Sequence, residues 1–327
     1  MATAFVTGGS GFIGGRLIKR LVADGGKVRA LARSDSSAQV VEALGAEPVR
    51  GDLSDRDSMQ AGAEGADTTY HLAAHLGQWG KRADFIEGNV TGTENALAAS
   101  REAGVTRFVH CGTEAALLAG QPLVNVDETA PLRPDSKALY PATKAMAEQR
   151  VRAASTDGFD AMVMRPRLVW GAGDTTLLPE IVAAVKGGKF AWIGGGQHLT
   201  STTHVDNVVE GLVLTAQKGR AGEAYFVTDG DPAVFREFIS ELVETQGVEA
   251  PTRTVPAPVA GIVAAGAEGA WRLLRLGGEP PLTRLALWLS SQECTIDISK
   301  ARSELGYAPV RTREEGMEEL RATRPSP

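Results

Sequence analysis

Tyr140 and Lys144 bound the segment YPATK, a phenol and an ammonium four residues apart. On an α-helix this spacing puts both side chains on one face, about one turn from each other. A free phenol has a pKa of about 10, too high for efficient acid–base work near neutrality in both directions. A cation nearby favours the phenolate, so the pair is a candidate proton-handling centre. The chain holds four tyrosines and nine lysines in 327 residues. Chance alone produces such a pair in roughly one sequence of nine, so its meaning depends on its setting.

A second chemical stretch is TGGSGFIGG, residues 7–15, directly after the β-like run Thr3–Thr7 and at the opening of a helical pattern. Gly8, Gly11 and Gly14 allow a tight turn, close approach of main chain to a pyrophosphate and close helix-to-strand packing. Phe12 and Ile13 begin the helix, whose N-terminus is an anion site. The plain alternative is a strand-to-helix turn without a ligand, but position at the head of a βαβ unit favours a dinucleotide. NAD sites usually carry an acid at the end of the second strand to hold the ribose hydroxyls. Here VRALARSDSS puts Ala32 there, with Arg33 and Ser34 beside it. A guanidinium binds a 2′-phosphate bidentately, so NADP(H) is favoured. NAD(H) is the alternative, with Asp35 on the ribose and Arg33 a solvated charge. In RGDLSD, Asp52 suits the adenine amino group, with Leu53 next to it; its simpler role is a turn or N-cap acid.

These residues need a scaffold that brings them together. Thr3–Thr7, Val28–Ala32, Pro48–Arg50, Thr68–Leu72, Arg107–Cys111 and Ala161–Arg165 read as strands, and Phe12–Ala23, Ala83–Ala103 and Ala142–Ala154 as helices. Such alternation predicts an α/β fold with a parallel sheet covered on both faces, its ligand crevice at the strand carboxyl ends. AYFVTD (224–229) reads as a further strand. The division expected is a dinucleotide-binding part over 1–170 that also receives 200–230, and a smaller, mostly helical substrate lobe from 171–199 and 231–327. Apolar residues at 43% and charged residues at 23% are an ordinary globular balance, and a net charge of −6 makes nucleic acid an unfavoured partner. Two cysteines, Cys111 and Cys294, support neither a disulfide framework nor a zinc site, and no metal is expected. The N-terminus lacks the features of a signal peptide. APVAGIVAAGA (257–267) is too short to span a bilayer and reads as a packed helix or pocket wall. A cytoplasmic protein without an integral membrane segment is the expectation.

The motifs taken together resemble the extended short-chain dehydrogenase/reductases. TGGSGFIG, GDLSD, HLAA (71–74), NVTGT (89–93), YPATK and MRPRLVWGAGD (164–174) follow in that family's order. STTHVDN (201–207), EPPLTR (279–284) and KARSELGYAP (300–309) resemble its 3β-hydroxysteroid dehydrogenase-like branch. The resemblance implies a Rossmann-type doubly wound sheet and a catalytic set of Thr113, Tyr140 and Lys144. Thr113 stands where the commoner serine would be, and its hydroxyl offers the same donor and acceptor. Tyr140 would give a proton to a carbonyl oxygen that Thr113 directs, and Lys144 would also hold the nicotinamide ribose. Ala73 and Ala74 would lie along the cofactor and Pro166 by the nicotinamide, with Asn89 tying backbone together. A homodimer is expected from the family.

Other residues are read by position. His75, Gln78 and Trp79 follow the fourth strand and are candidates for the substrate pocket, as are Glu114, after Thr113, and Trp170. The other reading of Glu114 is a capping charge. His71 and His110 read as buried histidines, and Cys111 as an inert buried thiol. Three functions compete: an NADP(H)-dependent interconversion of a small-molecule ketone or aldehyde and its alcohol on a hydrophobic substrate, an NAD-retaining sugar-nucleotide epimerase or dehydratase, and a non-catalytic NAD(P)-binding sensor. The intact Tyr/Lys pair argues against the sensor. The missing acid at strand two and the apolar segments of 256–289 argue against the epimerase.

Overall fold

The computed structural model describes residues 2–324. Seven strands form the main sheet: β1 (Thr3–Thr7), β2 (Lys27–Ala32), β3 (Glu47–Arg50), β4 (Thr68–His71), β5 (Arg107–Cys111), β6 (Asp160–Pro166) and β7 (Ala224–Val227). Their order is β7-β6-β5-β4-β1-β2-β3, and every neighbouring pair is parallel. The chain starts in the middle, winds through β2 to the β3 edge, then returns to the other side of β1 with β4. That reversal opens a crevice at the carboxyl ends of β1 and β4. The fold is the Rossmann-type doubly wound sheet.

Residues Ala4 to Thr7 of β1 are all buried, as a strand covered on both faces requires. Alternation along the strands sends Phe5, Leu31, Phe108 and Val163 to one face, against Met59, Leu97 and Val151. Val6, Ala30, Val109 and Met164 pack on the other, against Leu17 and Ile18 of α1 (Phe12–Ala23) and Val208 and Leu212 of the helix Val205–Lys218.

Two helices depart from the expected spans. The helix read over Ala83–Ala103 arrives as a short turn Arg82–Phe85, a π-helical turn Ile86–Thr91 and α2 (Gly92–Glu102). The helix read from Ala142 begins at Leu139 and forms α3 (Leu139–Arg152), so Tyr140 lies inside it. Pro141 is tolerated because first-turn residues have no intrahelical N–H bond to lose.

The smaller lobe is largely helical, but it also holds a four-stranded sheet in the order Ala233–Val234, Leu199–Thr200, Cys294–Ile296, Leu123–Val126. Leu123–Val126 falls within 1–170 yet pairs with Cys294–Ile296. A pairing between segments so far apart in the chain leaves no local pattern to read. A third core cluster joins Trp170, Trp192, Phe235, Phe238, Leu242 and Met317. The apolar segment starting at 257 forms α4 (Ala257–Leu274), which buries Ala260, Ala264 and Glu268 and leaves Val259, Ile262, Leu273 and Leu274 exposed. Among the described residues no helix is long and apolar enough to cross a membrane.

A charged pair ties α3 to the sheet. Arg165 of β6 donates through Nε to both carboxylate oxygens of Glu148, each at 3.0 Å, and its guanidinium lies 4.9 Å from the centre of the Phe226 ring. Both residues are fully buried. Removing one partner strands a charge in the core, at a cost of about 3–5 kcal/mol. Glu148→Leu is therefore expected to lower unfolding stability in urea by about that amount, and adding Arg165→Met should recover part of the loss. Equal stability of Glu148→Leu and the parent would show that the pair does not anchor α3.

Candidate active site

The crevice floor is main chain. Gly8 has φ +74°, and a Cβ there would meet Ala73 N at 2.7 Å. A Cβ on Gly14 would stand 2.1 Å from the Gly8 carbonyl oxygen. Gly11 caps α1 without a side-chain hydrogen bond, so the first N–H groups of the helix, those of Phe12 and Ile13 included, have no side-chain cap. Glycine is needed at Gly8 and Gly14, and the uncapped helix end suits an anion. The loop fits a dinucleotide pyrophosphate on these grounds.

At the end of β2, Ala32 is buried and Arg33 exposed. Ser34 caps the next helix in a reciprocal arrangement with Ser37, and Asp35 pairs with Arg50 at 3.2 Å. Asp52 accepts from Ser54 N at 2.7 Å and from its hydroxyl at 2.6 Å. These bonds, chiefly, hold its carboxyl below the usual carboxylate range, with a smaller contribution from Arg33. Leu53 packs on Gly92, and its carbonyl accepts from Asn95 Nδ2 at 2.9 Å.

Thr113, Tyr140 and Lys144 come from two neighbouring elements. Thr113 follows β5 and caps the short helical turn Glu114–Leu117, its Oγ1 accepting from Ala115 N at 3.2 Å. Tyr140 and Lys144 share one face of α3. Lys144 Nζ donates to the Cys111 carbonyl at 2.8 Å and lies 3.2 Å from His110 Nε2. Burial lowers the pKa of Lys144, and burial together with the Lys144 charge lowers that of His110 well below the usual histidine value. A neutral His110 accepting from Lys144 follows.

Lys144 was expected to draw Tyr140 toward phenolate. The ammonium is instead directed at Cys111 and His110. Burial first, then the Glu114 charge and Cys111 once its thiol ionises, push the Tyr140 phenol up, against a smaller lowering by Thr113. The phenol is held as an acid.

Two pocket candidates are corrected. Trp170 is fully enclosed: its indole N–H donates to Asp229 at 2.8 Å, and its ring packs edge-on against His204 and Phe238 at 4.9 and 5.4 Å. Nothing of it is left for a substrate. Glu114 is 3% exposed, with one oxygen on Arg167 and the other accepting from Thr113, so it faces protein groups rather than a ligand. His75 and Trp79 remain partly exposed on the loop after β4. His75 packs on Phe85 at 4.5 Å, and Arg272 of α4 stacks over Trp79 at 5.2 Å. Gln78 accepts from Thr283 at 2.7 Å, joining this loop to the smaller lobe. Asn89, on the π-helical turn, clamps His75 through N–H···Oδ1 at 2.7 Å and Nδ2–H···O at 3.2 Å, and donates to Thr143 of α3 at 3.0 Å. Arg167 and the contact of His110 with Lys144 are the parts that sequence reasoning missed. Arg167 sits one residue beyond Pro166, and an arginine just after an apolar strand was the available signal.

A model of the 3-beta hydroxysteroid dehydrogenase/isomerase family matches residues 5–257. The chain belongs to this family. Over 98% of its length it is 46% identical to the 4-hydroxy-2-methyl-3-oxo-4-farnesyl-3,4-dihydroquinoline-1-oxide ketoreductase of Stigmatella aurantiaca, covering 96% of that protein. It is 36% identical to the 2-alkyl-3-oxoalkanoate reductase of Stenotrophomonas maltophilia (strain K279a), over 97% of this chain and 98% of that one. The crystal structure of gox2253 superposes with a TM-score of 0.81 at 28% identity, over 98% and 97% of the two chains. As a 3β-hydroxysteroid dehydrogenase family member, the protein is an NAD(P)-dependent dehydrogenase/reductase.

Burial pushes the Cys111 thiol up to about 11 and the Cys294 thiol up to about 12. At pH 8 both stay protonated and shielded, and a thiol in that state is a poor nucleophile. Ellman's reagent is expected to find no reactive thiol in the native protein and both after denaturation. A native thiol that reacts within minutes would show that the strand end beside Lys144 is open to solvent.

Proposed function

We propose that this protein interconverts a ketone or aldehyde and its alcohol on a hydrophobic substrate, using NADP(H), with Tyr140 as the proton donor in reduction. The observation that carries this reading is a phenol, a hydroxyl and a buried lysine gathered at strand carboxyl ends beside a glycine-built main-chain loop. Both curated relatives support the substrate class. Each is named for a 3-oxo group next to a carbon bearing an apolar chain, 4-farnesyl in one and 2-alkyl in the other.

Gly8, Gly11, Phe12, Ile13 and Gly14 would hold the pyrophosphate, with Asp52 and Leu53 at the adenine and Ala73, Ala74 and Pro166 along the nicotinamide side. Arg33 and Ser34 would take the 2′-phosphate. When bound, the nicotinamide supplies the hydride for the carbonyl carbon. The chain handles the proton and the geometry. Tyr140 gives its phenol proton to the carbonyl oxygen as charge develops there. Thr113 fixes where that oxygen sits. Lys144 lies one helical turn along α3, and its ammonium would suit the nicotinamide ribose hydroxyls. His75 and Trp79 line the side on which the substrate would enter. An NAD-retaining epimerase would want an acid at the end of β2, where Ala32 and Arg33 stand.

Tyr140→Phe is expected to keep NADPH affinity, read by fluorescence titration, while ketone-dependent NADPH oxidation falls by about 10²–10⁴-fold. A variant with parent-like turnover would remove Tyr140 from the role. Arg33→Ala is expected to weaken NADPH binding by about tenfold or more with little change for NADH, since only the former carries the phosphate that a guanidinium pairs. An unchanged NADPH/NADH preference would overturn the NADP(H) assignment.

A further inference from the structure

Behind Thr113 lies a buried ion pair that the reaction above does not use. Arg167 is 2% exposed and Glu114 3%. Arg167 Nη1 donates to Glu114 Oε1, while Arg167 Nη2 donates to Thr200 Oγ1 at 3.4 Å. The other carboxylate oxygen, Glu114 Oε2, accepts the hydroxyl proton of Thr113 at 2.8 Å. A threonine hydroxyl has one proton to give. With that proton directed at Glu114 and one lone pair taken by Ala115 N at 3.2 Å, protein groups set the direction of the Thr113 hydroxyl.

We propose that Glu114, held by Arg167, is a positioning residue: it fixes the direction of the Thr113 hydroxyl and sets a carboxylate behind the Tyr140 phenol. The titratable groups that act on the phenol are Glu114 on the turn after β5 and Cys111 on β5, with Arg167 behind Glu114; Lys144, on the phenol's own helix, directs its ammonium at the Cys111 carbonyl and His110. Of these, Glu114 follows burial as the largest influence on Tyr140, and it opposes loss of the phenol proton. The pair thus favours Tyr140 as an acid, the form that carbonyl reduction needs.

The inference rests on the reading of Tyr140 as proton donor, so its test includes a measurement independent of turnover. Glu114→Gln preserves shape and removes the charge. Ionisation of Tyr140 is read as the 295 nm absorbance difference between each protein and its Tyr140→Phe counterpart during an alkaline titration. Tyrosinate from Tyr140 is expected at least about one pH unit earlier in Glu114→Gln than in the parent, a tenfold change in its ionisation constant. The alkaline limb of kcat/KM for NADPH-dependent ketone reduction should move down in parallel. A merely structural role would lower kcat/KM at every pH and leave both curves in place, and that outcome overturns the proposal. Should Glu114→Gln fold poorly with Arg167 unpaired, Glu114→Gln/Arg167→Met removes the stranded charge and carries the same two measurements. If the parent reduces no ketone with NADPH, the functional reading fails, and the absorbance titration still decides the role of Glu114.

Discussion

The helix that carries Tyr140 and Lys144 is held by a charge that cannot leave the core. Arg165 and Glu148 meet between β6 and α3 with no access to water, and neither can turn away without stranding the other. Glu148 lies one turn beyond Lys144, which lies one turn beyond Tyr140, so fixing the first fixes the height and rotation of the other two. Apolar packing alone would tolerate small slides of a helix over a sheet. A bidentate ion pair does not, because its geometry is directional. The Phe226 face under the guanidinium adds a further restraint from β7.

Around this anchor the site runs on burial rather than exposed charge. Lys144 is desolvated and spends its donors on a carbonyl and a neutral imidazole. His110 stacks on His71 with ring centres 5.3 Å apart, and His71, bonded to Thr7 and Thr93, is itself pushed down to about 3 by burial and the Lys144 charge. Two neutral histidines therefore sit beside one ammonium. The neutral His110 can solvate that ammonium without cancelling its charge. The Asn89 clamp, made possible by the π-helical turn, ties the loop after β4 to α3 through Thr143, so both walls of the crevice share one set of hydrogen bonds.

Much of this was legible in the chain before any coordinates. The six main-sheet strands of the first 170 residues carry apolar and β-branched residues, with a glycine directly after β1, β3 and β5, and the seventh strand announces itself as AYFV. The glycine loop was legible because its spacing is dictated by sterics that the structure repeats at Gly8 and Gly14. What could not be read were contacts between distant segments: Leu123–Val126 beside Cys294–Ile296, Glu114 beside Arg167, Lys144 beside His110. Trp170 was misassigned for a related reason. A tryptophan after a strand end is compatible with a pocket or a core, and only Phe238, Met317 and Gly316, brought from far along the chain, decide for the core. The start of α3 was missed because Pro141 reads as a boundary, although the first turn accepts it.

The floor of the crevice has one property that its walls lack. Where Gly8 abuts Ala73 and Gly14 abuts Gly8, no side chain intervenes, and the donors offered to a pyrophosphate are peptide N–H groups and the end of a helix dipole. None of these titrates. A grip of this kind on the middle of a dinucleotide would be indifferent to acidity across the range in which tyrosine, lysine and histidine change state, and on the proposed reading any pH dependence of turnover would originate above that floor. The molecule separates a constant holding force from an adjustable proton, and it does so by building one from backbone and the other from side chains.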